Sequence, residues 1–90
     1  MSPCIPWDGD LNKDGYGRWG HQLAHRRAWE EHFLTDIPEG MTLDHLCHNA
    51  DPSCTAGPRC PHRRCVNPEH LELVTQSTNS ARRWAHRRNR

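Results

Sequence analysis

The feature that most constrains this chain is the crowding of cysteine and histidine between positions 47 and 70. Cys47, Cys54, Cys60 and Cys65 alternate with His48 and His62, His70 follows, and the fifth cysteine, Cys4, stands far upstream. An odd number of cysteines cannot all pair with one another. Met1-Ser2-Pro3-Cys4 has neither the basic nor the apolar region of a secretory signal, so the expected compartment is a reducing cytoplasm, where structural disulfides are rare. Thiolate beside imidazole is the donor set of tetrahedral zinc. A disulfide-stapled secreted peptide is the distant alternative.

The rest of the composition says why such a staple is needed. The chain has 90 residues, only 33% of them apolar, and a mean hydropathy of -1.04. One domain of this size buries too little apolar surface to stand comfortably on its core. Yet 26% charged residues with a net charge of +1 is not the profile of a disordered chain. No apolar run reaches the roughly 18 residues of a membrane span. The small net charge hides an asymmetry: residues 1–58 sum to −5 and residues 59–90 to +6. Arg82, Arg83, Arg87, Arg88 and Arg90 crowd the C-terminal end. Such a basic end calls for an anionic partner, nucleic acid first, or else is a solvated helix tail.

Residues 8–17 are rich in turn formers. Asp8, Asp10, Asn12 and Asp14 have the spacing that opens a calcium loop, but neither register supplies both the glycine at position six and the glutamate at position twelve. The stretch is therefore read as a hairpin loop, with a short strand over 16–19. Residues 22–35 have helical apolar spacing through Leu23, Ala24, Ala28, Trp29 and Phe33, ended by Pro38 and Gly40. Met41–Leu46 alternates as a strand does, and Leu71–Val74 reads as a second. Residues 48–64 form a long loop that needs tying down, and its own Cys54, Cys60 and His62 are the obvious ties. Thr75 or Ser77 can cap a last helix over 77–88. Trp7, Trp19 and Trp29 are expected as core filler, with Trp84 kept open as a base-stacking residue.

Polar residues stand at telling places in this order of strand, loop, strand and helix. Asp44 and His45 are neighbours on the first strand, so they face opposite ways unless the strand bends there. Asn79 opens the last helix.

In three blocks the chain resembles the HNH endonucleases of the ββα-metal fold, in their phage and prophage branch. The first block is Cys4-Ile-Pro-Trp7 with Asp14-Gly-Tyr-Gly-Arg18. The second is Leu23-Ala-His-Arg26 through Trp29-Glu30, then Ile37-Pro-Glu-Gly40. The third is Leu43-Asp-His-Leu-Cys47, then Arg64-Cys-Val-Asn-Pro-Glu-His-Leu-Glu72, Val74-Thr75 and Asn79. The region 44–79 is also similar to the His-Cys box homing endonucleases. The resemblance implies that His45 is the general base, that Asp44 and Asn79 hold one magnesium or manganese ion, and that an arginine, Arg18 or Arg26, clamps the phosphate. His70 stands where the family usually has the middle Asn. In the His-Cys box branch a histidine there ligates zinc, which implies a set Cys4, Cys47, Cys65 and His70. Subtracting that set leaves His48, Cys54, Cys60 and His62 for a second zinc. A competing partition gives Cys54, Cys60, His62 and Cys65 to one ion.

The expectation is a single α+β domain over 1–90: a small zinc-stapled ββα-metal unit over 41–88, its zinc-binding loop over 48–64, an N-terminal strand and helix extension, and a basic C-terminal helix. The expected activity is metal-dependent nicking of DNA in the cytoplasm of a host cell, by a monomer or weak dimer, without a membrane, using one or two structural zinc ions. A zinc-stapled DNA-binding module without catalysis, and an accessory of phage packaging proteins, are the alternatives.

Overall fold

The structure is a computed structural model that describes residues 2–55 and 57–88, with only the backbone for Arg87 and Arg88. Its described elements are β1 (Arg18–Trp19), β2 (Gln22–Leu23), α1 (Ala24–Phe33), β3 (Met41–His45), α2 (Leu46–Asn49), β4 (Leu71–Thr75) and α3 (Gln76–Arg88), with single 3-10 turns at Pro61–Arg64 and Pro68–His70. The fold is α+β, with two separate two-stranded antiparallel sheets.

The N-terminal loop is organised by Asn12. Its Oδ1 accepts from the backbone N–H groups of Asp14 and Tyr16 at 3.0 Å each, a side-chain turn that Asn makes readily. The strand expected over 16–19 is β1. It turns back at Gly20, whose φ of +63 suits the first central position of a type II′ hairpin, into β2. Gln22 and Leu23 therefore belong to a strand and not to the start of the helix. Leu23 fits either pattern, and pairing with Arg18 decides it.

Helix α1 buries Ala24, His25 and Trp29. Trp29 meets Leu43 of β3 and Leu71 of β4, with Ile37 and Leu73 packed around them, and this small cluster is the apolar core. Glu30 fastens the helix at both ends of its surroundings, accepting from Gln22 Nε2 at 2.9 Å and from the Ile37 N–H at 3.1 Å. Of the tryptophans expected inside, Trp29 is buried and Trp7 half-buried. Trp19 is 49% exposed, under the Arg27 guanidinium at 4.6 Å. Trp84 is 62% exposed.

Strands β3 and β4 pair from Met41 against Thr75 to His45 against Leu71. The strand expected to reach Leu46 stops at His45, because Leu46 begins the single turn α2. The last helix starts one residue earlier than its pattern suggested, at Gln76, with Thr75 Oγ1 accepting from the Thr78 N–H at 3.2 Å. No helix among the described residues is long and apolar enough to cross a membrane.

Candidate metal centres and cleft

The β3–β4 connection sorts its ligands into two groups. Cys4, Cys47, Cys65 and His70 form one, and His48, Cys54, Cys60 and His62 the other; in each, the ligand atoms lie within 4.8 Å of one another. All five cysteines are free thiols. The division depends on two short helical turns. Cys47 and His48 are neighbours on α2 and diverge by about 100°, so each joins a different group. The 3-10 turn Pro61–Arg64 likewise separates His62 from Cys65. This grouping sets Cys65 with Cys4, Cys47 and His70, apart from the loop cysteines.

The spacing fits zinc. Bond lengths of about 2.3 Å to sulfur and 2.0–2.1 Å to nitrogen, at tetrahedral angles, put Sγ and N about 3.6 Å apart. In the first group His70 Nδ1 lies 3.5 Å from Cys4 Sγ and 3.4 Å from Cys65 Sγ. In the second, Cys60 Sγ lies 3.5 Å from both His48 Nδ1 and His62 Nδ1, and 3.3 Å from Cys54 Sγ. These groups could hold zinc.

The first group is also braced from outside. His70 Nε2 lies 3.3 Å from Ser2 Oγ, which accepts from Asn67 Nδ2 at 3.2 Å and donates to Glu69 Oε2 at 2.8 Å. A ligating histidine is usually oriented through its second nitrogen in this way. The hydrogen bond from Cys47, helped by the backbone N–H groups of Asn67 and Ile5, lowers the Cys65 thiol to about 4, while the Cys47 thiol is pushed far up by the same bond and by burial. The N-terminal segment is stitched alongside, with Trp7 N–H donating to Arg64 O and Val66 N–H to Ile5 O, both at 2.8 Å. Gly17 and Gly9 make room for the Trp7 ring: a Cβ at either would stand 2.7 Å from it.

A cleft of ≈ 110 Å³ opens beside the second group. Its walls include Asp44, His45, Asn79, Tyr16, Arg63 and Arg83. Asp44 and His45 reach one cleft although they are sequence neighbours, because β3 ends at His45 and the chain turns into α2. Both are buried. His45 Nε2 lies 3.1 Å from the Cys65 carbonyl oxygen, which can only accept, so the ring proton is on Nε2 and Nδ1 keeps its lone pair. Burial pulls the imidazole pKa below its usual value, against the Cys65 carbonyl and the Asp44 charge. His45 is thus a neutral ring.

Asp44 is more encumbered. Its Oδ2 accepts from Asn49 Nδ2 at 2.7 Å and from Arg82 at 2.9 Å. Arg82 also bonds Glu72, the residue opposite Asp44 across the hairpin. One guanidinium therefore bridges two facing carboxylates, and the half-buried Arg82 is engaged within the fold.

Other sequence-based expectations change here. Arg18 lies on β1, exposed, 3.9 Å from Asp10, and neither it nor Arg26 lines the cleft. The arginines that do are Arg63 and Arg83. Arg63 sits over the Tyr16 ring at 4.7 Å and donates to the Asp14 carbonyl at 2.7 Å. Its place between the ligands His62 and Cys65 was the only signal in the sequence. His25 was missed as well. It is buried, its ring is 4.8 Å from that of His45, and its Nδ1 has no hydrogen-bond partner. Burial, then the neighbouring His45, lowers its pKa to about 3. The side chains of Arg87 and Arg88, and all of Arg90, lie outside the described residues.

The chain is similar to small proteins of T7-like phages. It is 34% identical over 84 residues to protein 7.7 of Escherichia phage T7, covering 89% of this chain and 54% of that protein. It is 33% identical over 73 residues to the uncharacterized gene 5.3 protein of Enterobacteria phage T3, covering 70% and 58%. It is 29% identical over 79 residues to protein 2.8 of Escherichia phage T7, covering 88% and 48%. The chain thus spans about half the length of the curated relatives it matches. No protein-family model matches it, and no solved structure does.

Proposed function

We propose that the chain is a metal-dependent DNA endonuclease of the HNH type, which hydrolyses phosphodiester bonds in the cleft around His45. The observation that carries this reading is a buried histidine whose Nε2 lies 3.1 Å from the Cys65 carbonyl oxygen and which shares a cleft with Asp44 and Asn79. A ring that donates there from Nε2 offers Nδ1 as the acceptor for a proton from water. The hydroxide so formed attacks phosphorus, and the bond to the leaving sugar oxygen breaks. Arg63 and Arg83 line the same cleft, and in this reading they meet phosphate oxygens. Asp44 and Asn79 offer oxygen ligands, the donors that hard divalent cations take. Magnesium or manganese held there would supply positive charge for the pentacoordinate phosphate and the leaving oxygen. One cleft in one chain makes a nick the expected product.

The test is relaxation of supercoiled plasmid with magnesium or manganese, wild type beside His45→Ala, with zinc content measured in both. Cleavage that is lost in a zinc-loaded variant supports the reading; equal cleavage by both sinks it.

A second reading is favoured by the Arg82–Asp44 ion pair, which already satisfies the Asp44 carboxylate in part. Under it the chain is a zinc-stapled DNA-binding module. Retardation of DNA on a gel, with no cleavage by wild type in either metal, would select it.

A further inference from the structure

Helix α3 is attached to the body in an unusual way. It packs on β3 and β4, yet no apolar side chain among its described residues is buried. His86 is its one buried described residue, and Asn79 and Arg82 are half-buried. These three stand at i, i+3 and i+7, the stripe that normally carries apolar residues toward a core. Arg82 accounts for the middle of the stripe through Asp44 and Glu72. The far end rests on the second Cys/His group. The His86 ring stacks on that of His48, with centroids 4.3 Å apart and planes 27° from parallel. His86 Nε2 lies 2.8 Å from the Asp51 carbonyl oxygen and so donates to it. The Asp51 carboxylate in turn stands 3.7 Å from His62 Nε2. His86 is therefore held by one ligand of the group directly and by the backbone of a residue that faces another.

We propose that the second Cys/His group is the dock for α3, with His86 as the positioning residue, and that zinc held there sets where Asn79 and Arg83 stand in the cleft. Zinc fixes the His48 ring through Nδ1, and a fixed ring is a platform on which His86 can stack. Without the ion, His48 and the loop around Asp51 lose their common tether, and His86 loses its stacking on His48 and its bond to the Asp51 carbonyl. The helix then frays from His86 backward. Asn79 lies two turns away, about 10 Å along the axis. The docking stands on the contacts alone; its consequence for the cleft rests on the nuclease reading.

The experiment is hydrogen exchange followed by mass spectrometry on the full chain, with zinc counted by native mass spectrometry. Two variants are compared with wild type: His86→Ala, which leaves all eight ligands in place, and Cys60→Ser, which removes one. In His86→Ala two zinc ions remain, and the amides of residues 80–86 exchange at least tenfold faster, while β3 and β4 keep their protection. Cys60→Ser loses one zinc and gives the same local acceleration. Unchanged exchange of α3 in His86→Ala would overturn the proposal. So would loss of protection across β3 and β4 in Cys60→Ser, which would make the ion a support of the whole body. Neither result depends on whether the wild type cleaves DNA, so failure of the dock and failure of the nuclease reading are read separately.

Discussion

The Nε2 of His45 sits 3.1 Å from the carbonyl oxygen of Cys65, whose thiol belongs to the first Cys/His group. One residue thus offers its sulfur to a candidate metal centre and its backbone to the candidate base. The expected consequence is a single tautomer: the His45 proton resides on Nε2. Long-range proton–nitrogen correlation on labelled protein reads this directly, and a resonance pattern for Nδ1–H would refute it. Cys65→Ser, by loosening the same segment, is expected to cost cleavage activity at least tenfold even though His45 is intact.

Asp44 and Glu72 face each other across the β3–β4 hairpin, with Arg82 bonded to both. Like charges directly opposite on a sheet repel. Arg82→Gln is expected to lower the melting temperature at neutral pH, and Glu72→Gln in the same background to recover part of the loss. The coupling is the informative quantity. Strictly additive shifts would mean that the three groups do not act together.

How far this could be read from the sequence depends on which residues carry each feature. Strands β3 and β4 were legible because Leu43, Leu71 and Leu73 alternate with polar neighbours. Metal binding was legible because cysteine and histidine are rare enough that their crowding is a signal, whereas the division into two groups is what the resemblance to the His-Cys box family implies. Helix α3 was legible as a helix, but its inner face was not. Periodicity searches look for apolar stripes, and here the stripe is Asn79, Arg82 and His86. By sequence alone Arg82 therefore belongs with the exposed basic tail, and nothing in the pattern singles out His86. Arg63 was missed for a similar reason: a charge inside a ligand-rich loop carries no pattern, and only the folded loop sets it over Tyr16. Arg18 stood inside a motif and drew attention that its position on β1 does not repay.

His25 makes stability depend on acidity in a definite window. Its folded pKa is about 3 against an ordinary value of 6.5, because burial excludes the charged ring. Below pH 6.5 the unfolded chain takes up a proton that the folded chain refuses. The stability contributed by the neutral ring is complete above 6.5 and falls steadily as the pH drops toward 3. Between pH 6.5 and 4.5 the loss from this group is about 2–3 kcal/mol. His25→Phe removes the group and its unpartnered nitrogen, so its stability should fall less over that range. Denaturation at each pH, with zinc content checked, measures the difference between the two proteins. Parallel curves would exclude His25 as the source.

Gly17 and Gly20 are two glycines kept for different reasons. A Cβ on Gly17 would stand 2.7–2.9 Å from atoms of the Trp7 side chain, whereas, its chain neighbours aside, nothing lies within 4 Å of one on Gly20. Gly17→Ala must push the tryptophan off its seat and is expected to cost about 1–3 kcal/mol, as overpacking does. Gly20→Ala meets only the φ of +63, a cost of about 1–2 kcal/mol. The two differ more clearly at the Trp7 indole N–H resonance, which only Gly17→Ala should displace. A displaced Trp7 resonance in Gly20→Ala and none in Gly17→Ala would reverse the assignment.

The division into two Cys/His groups makes the sharpest stoichiometric prediction. Native mass spectrometry of the wild type should find two zinc ions. Cys4→Ser and Cys54→Ser should each retain one, and the double variant none. The single variants should differ in what they loosen. Cys4 ties the N-terminal segment to the back of the hairpin, so Cys4→Ser frees residues 2–7 to exchange, including the Trp7 N–H that donates to Arg64 O. Cys54→Ser leaves that segment protected. A strong chelator should unfold the whole chain, because a core of Trp29, Leu43 and Leu71 with two flanking residues is too small to stand without its staples. One zinc in the wild type, held through Cys65 together with the loop cysteines, would instead return the ligands to the partition that the two helical turns argue against.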